Sequence, residues 1–267
     1  MRPGRLGAVA LRHYFLMRGS PSRVLPLFAW VAIDIVLWGF ITRYLDDVTA
    51  SGLHFVPRLL GAVLLWDFFV RVMQGVTMAF FEDVWSRNFL NVFASPLTIA
   101  EYVGGLVLSS IATSAIGLVV MLLLATTVFG LSFLVYGALL VPFVLVLFLF
   151  GIALGIFGSA LVLRMGPSSE WFVWPIPALL SPFAGVFYPL STLPTWMQYV
   201  AGALPPSYVF EGMRTVVSGG TVATGPLFLG LALCLAYIGL AYLFFGRVHR
   251  YAVRTGLIAR YSAETVN

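Results

Sequence analysis

The chain has 267 residues, of which 61% are hydrophobic and only 9% are charged, and its formal net charge is +5. A soluble domain carries about 25% charged residues, so this chain has too little polar surface to cover a water-soluble globule. A backbone in lipid must satisfy its own hydrogen bonds, which favours helices. The composition therefore predicts an all-α integral membrane protein with a single transmembrane domain over residues 1–267.

The basic residues are all arginines, and they lie mainly at the ends of apolar runs. A nucleic-acid-binding face would instead collect basic and aromatic side chains on one surface. The pattern therefore argues against nucleic acid as a partner and favours anionic membrane lipid. The single cysteine, Cys234, excludes a disulfide within the chain and a metal site built on thiolates, and we expect no cofactor held by this chain.

The N-terminal region, residues 1–22, is predicted to hold an interfacial helix. Apolar residues recur at helical spacing through residues 5–18, while Arg5, Arg12 and Arg18 supply polar anchors. A helix of this kind lies in the headgroup layer of the membrane. A frayed basic tail is the alternative for this segment.

Six later segments are apolar and long enough to cross the hydrocarbon layer, which takes about 20 residues. They are 24–42, 58–81, 101–129, 133–163, 171–190 and 225–246. A cytoplasmic N-terminus leaves only Arg43, Arg58 and Arg214 on the outer side, in keeping with the arginine bias of cytoplasmic loops. We therefore expect six transmembrane helices with both termini in the cytoplasm.

Two stretches between the spans are predicted to form short helices. In residues 82–97 the apolar residues recur at helical spacing among polar ones, and the pattern stops at Ser95–Pro96. This pattern predicts an amphipathic helix on the cytoplasmic face that ends at the proline. This helix either lies on the membrane surface or inserts into a cytosolic partner. Residues 189–223 are partly apolar but broken by prolines, which predicts re-entrant helices in the outer leaflet between spans 5 and 6.

These two stretches resemble the type-2 family of ATP-binding-cassette (ABC) transporter permeases. The first resembles the family's coupling-helix region, with matching positions at Arg87, Leu90, Ala94, Ser95, Pro96, Leu97, Glu101 and Gly104. The second resembles the region between the last two spans, with matching positions at Pro189, Leu193, Pro194, Trp196, Leu204, Pro205, Glu211 and Arg214. Both stretches occur at the expected separation in a six-span chain, so the sequence is identified as similar to this family.

The resemblance implies a permease of a bacterial ABC exporter in the inner membrane. It implies a second permease copy, as a homodimer or a heterodimer, and two copies of a cytosolic ABC ATPase subunit. ATP and Mg would bind the ATPase, because a Walker A loop requires a lysine and this chain has none. The chain itself is therefore not expected to be an enzyme. The family exports drugs, lipids, lipid-linked polysaccharides and other amphipathic molecules, and the sequence does not select among them.

Two sets of candidate residues follow from the resemblance and from the predicted helices. The predicted ATPase-coupling residues are Glu82, Asp83, Arg87, Phe89, Leu90, Phe93, Ser95 and Pro96. The predicted outer gate and re-entrant residues are Pro194, Trp196, Pro205, Glu211 and Arg214. Glu211 and Arg214 are three positions apart, so they form either a local ion pair or an exit-gate contact.

Three charges lie inside predicted spans. Asp67 and Arg71 are four positions apart on one helix face, and Asp34 is expected at a similar depth in the preceding span. Charges at such depth are costly unless they are paired, so we predict that the three cluster and face protein or water rather than lipid. The cluster either lines the transport path or clasps two helices together.

Two other classes of function compete with an exporter. A membrane-embedded enzyme would need a nucleophile with a base, or metal ligands, and the three histidines all fall outside the predicted spans. An ion-coupled secondary transporter or channel would use Asp34, Asp67 and Arg71 as a relay. The coupling-helix-like loop argues against this second alternative, because a gradient-driven protein needs no docking site for an ATPase.

Overall fold

A computed structural model describes residues 3–19, 21–49, 59–86, 91–92 and 95–257, and within these ranges it contains helices and no strands. The α-helices are α1 Pro3–Arg18, α2 Pro21–Thr49, α3 Gly61–Trp85, α4 Ile99–Phe129, α5 Leu140–Met165, α6 Ile176–Ala184, α7 Thr195–Ala203, α8 Pro205–Val217 and α9 Thr224–Thr255. Short 3₁₀ helices cover Phe133–Leu139, Pro167–Phe172 and Leu190–Thr192. The prediction of an all-α protein is confirmed.

Four stretches of the described chain are long and apolar enough to cross a membrane. They are Gly61–Trp85, Ile99–Phe129, Phe133–Met165 and Thr224–Thr255, which correspond to the second, third, fourth and sixth predicted spans. The first predicted span, 24–42, lies within α2. Six spans, as opposed to these four, stay a prediction.

The fifth predicted span, 171–190, differs from a continuous helix. The structure has a 3₁₀ turn that ends at Phe172, and then α6, which is only nine residues long. The proline Pro175 lies directly before α6 and has no N–H to donate, and Gly185 ends the helix with a φ of +61°, a left-handed conformation that favours glycine. The prolines of this segment therefore break it into short pieces.

Helix α3 forms the centre of the bundle and is packed by α4 on one side and by α5 on another. Most of its side chains are buried, including Phe69, Val72, Val76 and Phe80, as expected for a helix that is apolar all round. Phe69 stacks on Phe150 of α5 with ring centroids 5.5 Å apart. Helix α9 packs along α5, so α3, α4, α5 and α9 share one core.

Glycines let α5 approach α3 closely. A Cβ atom built on Gly151 would lie 2.8 Å from the Cβ of Val72, and one on Gly155 would lie 2.6 Å from the Cβ of Val76. A Cβ on Gly158 would lie 3.2 Å from Cγ2 of Thr77 and 2.8 Å from a methyl group of Val173. Glycine at these three positions therefore allows close contact of α5 with its neighbours. Cys234 is buried and donates a hydrogen bond of 3.3 Å to the Val146 carbonyl oxygen.

We predict that Gly155→Ala destabilises the bundle. The added methyl group would also meet the Met73 carbonyl oxygen at 2.9 Å, and overpacking of this kind costs about 1–3 kcal/mol. Gly239→Ala is the matched control, because a Cβ atom there meets nothing within 4 Å and alanine is the better helix former. Thermal unfolding in lipid nanodiscs should show a lower midpoint for Gly155→Ala alone. Equal midpoints for the two variants would contradict the close packing of α3 and α5.

Candidate functional sites on the helical bundle

The N-terminal helix α1 packs mainly against α4. Its contact with α4 lies at two consecutive glycines. Gly104 and Gly105 lie side by side near the start of α4, opposite Leu6 and Val9 of α1. A Cβ atom on Gly105 would approach the Cβ of Val9 to 2.5 Å, so a larger residue there would push α1 away. The predicted helix at 5–18 is present, and its placement in a headgroup layer stays a prediction.

The carboxylate of Asp83 lies at the junction of α1, α3 and α4, and its side chain is fully buried. Arg12 of α1 contacts Oδ1 through Nη1 at 2.5 Å, and Tyr102 of α4 donates its hydroxyl to Oδ2 at 2.8 Å. A buried carboxylate needs such partners because water no longer solvates it. The carboxylate thus receives one contact from each of two other helices. We call Arg12, His13, Asp83 and Tyr102 the Asp83 cluster.

A second ion pair fastens α1 to the start of α4. Arg5 lies 3.4 Å from Oε2 of Glu101 and donates to the Pro96 carbonyl oxygen at 2.5 Å. The same Glu101 side chain accepts from the Thr98 N–H at 3.0 Å, and the Thr98 hydroxyl accepts from the Glu101 N–H at 3.2 Å. This reciprocal pair is a capping box, which satisfies N–H groups that a helix start otherwise leaves unpaired. Arg5 therefore joins α1 to both the Ser95–Pro96 turn and the first turn of α4.

The predicted coupling residues occupy different environments. Asp83 is buried and Glu82 is half-buried, whereas Pro96 is exposed and Ser95 donates to the Val92 carbonyl oxygen at 2.5 Å. Arg87, Phe89, Leu90 and Phe93 lie outside the described residues. Trp85, just before them, donates from Nε1 to Oε2 of Glu170 at 3.1 Å and so links the end of α3 to the 3₁₀ turn after α5.

Several members of this site carried no role in the sequence analysis beyond polar anchoring. Each makes a contact with the last turns of α3 or the first turn of α4: Arg5, Arg12, His13 and Tyr102. The T-x-x-E pattern at Thr98–Glu101 is a sequence signal for the capping box. No comparable local signal marks the partners of Asp83, because they lie 71 and 19 positions away along the chain.

The three intramembrane charges are brought together, with Asp34 on α2 and both Asp67 and Arg71 on α3. The charge of Arg71 acts on each aspartate, and the two aspartates lie close enough to act on each other. All three side chains are half-buried. Arg71 also lies along α4, because a Cβ atom on Gly117 would be 3.2 Å from its Cδ. The cluster therefore lies where α2, α3 and α4 come together.

Two of the predicted outer residues, Glu211 and Arg214, hold α8 to the turn that follows α6, at the end of the bundle away from Asp83. Oε1 of Glu211 accepts from the Leu190 N–H at 2.7 Å and from Nη2 of Arg214 at 2.9 Å. Arg214 also donates through Nη1 to the Gly185 carbonyl oxygen at 2.7 Å. Glu211 and Arg214 thus make a local ion pair that also holds α8 against the 185–190 turn.

The remaining outer candidates position short helices. Pro194 lies directly before α7, and Pro205 is buried in the first turn of α8, where its missing N–H leaves no helical bond unmade. Trp196 is 61% exposed and makes an edge contact with Phe183 at a centroid distance of 6.0 Å. Two short helices therefore follow α6, in the region where re-entrant helices are predicted.

We predict that Tyr102→Phe lowers stability through the Asp83 cluster. The change removes a hydrogen bond to a buried carboxylate, and such bonds to charged groups contribute about 1.5–3 kcal/mol. Tyr251→Phe is the matched control, since Tyr251 is 54% exposed. Thermal unfolding in nanodiscs should show a lower midpoint for Tyr102→Phe only. If both variants unfold like the native chain, the Asp83 carboxylate does not depend on Tyr102.

We predict that Arg71→Ala is more harmful to folding than Arg71→Ala combined with Asp67→Ala. The single change leaves a carboxylate without its cation at membrane depth, where an unpaired charge costs about 2.5–3.5 kcal/mol on insertion scales. The double change removes one of the two negative charges as well. The yield of monodisperse protein after membrane extraction measures the difference. Equal or reversed yields would remove this pairing from the site.

A family model described as ABC-2 type transporter matches residues 10–217, which is more than three quarters of the chain. The match includes both stretches that resemble the type-2 permeases, the Ser95–Pro96 turn and most of the outer region. No curated protein matches the chain significantly. The apolar helices make it a multi-pass membrane protein, and the family works together with an ATPase subunit. The chain belongs to the ABC-2 type transporter family and is a permease domain of an ABC transporter.

Proposed function

We propose that the chain is the permease subunit of an ATP-driven exporter that moves an amphipathic or hydrophobic substrate across the bacterial inner membrane. A separate ATPase, present in two copies, supplies the energy, and a second permease copy, identical or paralogous, completes the path. Drugs, lipids and lipid-linked polysaccharides are the substrate classes. The termini face the cytoplasm in this arrangement. The observation that carries the proposal is the family match together with the fastening of α1 and α4 around the Ser95–Pro96 turn.

The proposed coupling role of the Ser95–Pro96 turn is supported by the contacts that hold it to the neighbouring helices. A surface that receives force from an ATPase must transmit it into the spans rather than bend. Arg5 ties α1 to the turn and to Glu101, and the Asp83 cluster ties α1, α3 and α4 to one another. A displacement of the turn would therefore move three helices together, which supports docking of the ATPase at residues 82–97.

The apolar character of the substrate is supported by α2. Its exposed face is apolar and carries Ile33, Val36, Leu37, Phe40 and Tyr44. Asp34 lies on the same helix and belongs to the intramembrane charge cluster. A helix that carries both an exposed apolar face and a polar group suits a molecule with an apolar body and a polar head.

An ion-coupled transporter or channel is the alternative that a specific observation favours. Asp34, Asp67 and Arg71 act on one another electrostatically, and ionisable groups inside predicted spans are typical of ion or proton paths. In the exporter these charges line or gate the substrate path, or they hold α2 against α3. The discriminating observation is whether transport needs a partner ATPase or only an ion gradient.

Purification of the tagged chain from its native host in mild detergent, followed by mass spectrometry, tests the proposal. A stoichiometric partner with a Walker A loop is the expected result. Isolation without any ATPase, repeated in nanodiscs and after cross-linking, would overturn it and favour the gradient-driven alternative. Transport in vesicles loaded with ATP, and separately under an imposed ion gradient, then assigns the energy source.

We predict that Phe89→Glu combined with Phe93→Glu abolishes ATPase binding while the permease still inserts. Two charges on the apolar face of the predicted coupling helix would prevent its burial in a cytosolic partner. Thr221→Glu with Ala223→Glu is the matched control, because it adds the same charge at exposed positions next to the start of α9. Co-purification of the ATPase is the measurement. Full co-purification with the Phe89 and Phe93 variant would exclude residues 82–97 as the docking site.

A further inference from the structure

The exposed face of α9 changes from apolar to basic toward the end of the helix. Five exposed side chains follow one another at intervals of three and four positions: Leu240, Leu243, Arg247, Arg250 and Arg254. Residues at these intervals lie on the same side of a helix. Exposed leucines suit contact with lipid tails, whereas exposed arginines need water or polar headgroups. The change from leucine to arginine therefore indicates where α9 leaves the hydrocarbon layer.

The length of the uncharged part of α9 agrees with this position. Residues 224–246 contain no charged side chain, and they form about 35 Å of helix. The hydrocarbon layer is about 30 Å thick, so a helix that crosses it from residue 224 reaches the headgroups near Arg247. Arg250 and Arg254 follow within two turns. The basic part of the face thus begins at the depth of the lipid phosphates.

Helix α5 brings a fourth arginine to the same level. Three contacts set the register of α5 and α9: Val146 with Cys234, Phe150 with Tyr237 and Phe157 with Phe244. The partners are 87 or 88 positions apart in each case, so the two helices run in the same direction. The last two contacts are one heptad apart on both helices, and the next heptad brings Arg164 level with Tyr251. Both of these side chains are exposed. We call Arg164, Arg247, Arg250 and Arg254 the Arg247 patch.

Carboxylates do not neutralise the Arg247 patch within the described part of the chain. The ion pairs of the described residues all lie elsewhere. Arg250 donates from Nε to the Gly246 carbonyl oxygen of its own helix at 3.3 Å. Glu170, the acidic residue nearest to Arg164 in sequence, instead accepts from Nε1 of Trp85. The patch therefore keeps its positive charge available for an anion.

We propose that the Arg247 patch binds the headgroup of an anionic phospholipid, whose acyl chains lie along Leu240 and Leu243. A guanidinium group can donate to two oxygens of one phosphate, so a few arginines hold a headgroup firmly. A zwitterionic lipid has the same phosphate but brings its own cation, which the patch repels. Tyr251, among the arginines, has the apolar ring and polar hydroxyl that are typical of membrane interfaces. The inference depends neither on the transported substrate nor on the ATPase.

Native mass spectrometry of the purified full chain measures this preference. Phosphatidylglycerol and phosphatidylcholine with the same acyl chains are the two probes, and phosphatidylglycerol should bind more tightly. An arginine near a charged lipid contributes about fivefold to affinity, so Arg247→Gln with Arg254→Gln should weaken phosphatidylglycerol binding about 25-fold. Phosphatidylcholine binding should change little. Equal affinity of the native chain for the two lipids would overturn the proposal.

Two further variants separate the charge of the patch from the fold of the chain. Arg247→Lys with Arg254→Lys keeps both charges and should keep most of the preference for phosphatidylglycerol. Arg18→Gln with Arg43→Gln is the matched control, because it removes the same charge from exposed positions of α1 and α2. This control should bind phosphatidylglycerol like the native chain. A loss as large as that of the patch variant, in the lysine variant or in the control, would rule out a charge-dependent site at the patch.

A photoreactive phosphatidylglycerol in nanodiscs then locates the bound lipid. Its cross-links should fall on peptides from residues 240–254, and they should weaken in the variant with Arg247→Gln and Arg254→Gln. Two results would assign the patch to another anion and contradict the proposal. One is displacement of the lipid by inorganic phosphate at constant ionic strength, which would indicate a soluble ligand. The other is loss of the co-purifying ATPase in the patch variant with lipid binding unchanged, which would indicate a protein contact.

Discussion

The buried carboxylate of Asp83 is the constraint on which the junction of α1, α3 and α4 depends. A fully buried negative charge is costly unless it is paired and hydrogen-bonded, so its partners have to be present for the chain to fold there. Those partners come from two other helices, Arg12 from α1 and Tyr102 from α4. The need to satisfy one side chain therefore fixes the relative positions of three helices. It also explains why α1, although short, is packed against the bundle.

Two other sets of charged side chains also depend on partners. They are the cluster of Asp34, Asp67 and Arg71 and the ion pair of Glu211 and Arg214. Arg71 lies between two aspartates and along the bare backbone of Gly117, and Arg214 shares Glu211 with a backbone N–H. In each case an arginine joins its own helix to another element, and Arg214 does so through the Gly185 carbonyl oxygen. Arginine suits this use because its planar group offers several donors in fixed directions and stays charged. A chain with fifteen arginines and no lysine carries its positive charge in the side chain best able to make such bridges.

The sequence was sufficient to predict the class of protein, the family and the longest helices, because an apolar run in lipid has few alternatives to a helix. Helices α4, α5 and α9 begin and end within ten residues of the predicted spans. The break in the fifth predicted span is visible in the sequence only as its prolines, because Pro175 and Pro177 lack N–H donors while the apolar length of 171–190 still predicts a span. The contacts of Asp83 were out of reach for another reason. They join residues far apart in sequence, and no local pattern distinguishes a buried aspartate from an exposed one.

Helix α4 runs from the Ser95–Pro96 turn to the cluster of Asp34, Asp67 and Arg71. Its first turn is fixed by the Thr98–Glu101 capping box and by Arg5, and Gly117 contacts Arg71 farther along the same helix. Nineteen residues separate Thr98 from Gly117, which is about 28 Å of helix at 1.5 Å per residue. Between them Ser110 donates to the Val72 carbonyl oxygen at 2.8 Å, so α4 is held to α3 along the way. Helix α4 is thus joined to its neighbours at its first turn, at Ser110 and at Gly117. In the proposed exporter, this continuous helix is the element that would connect the Ser95–Pro96 turn to Arg71.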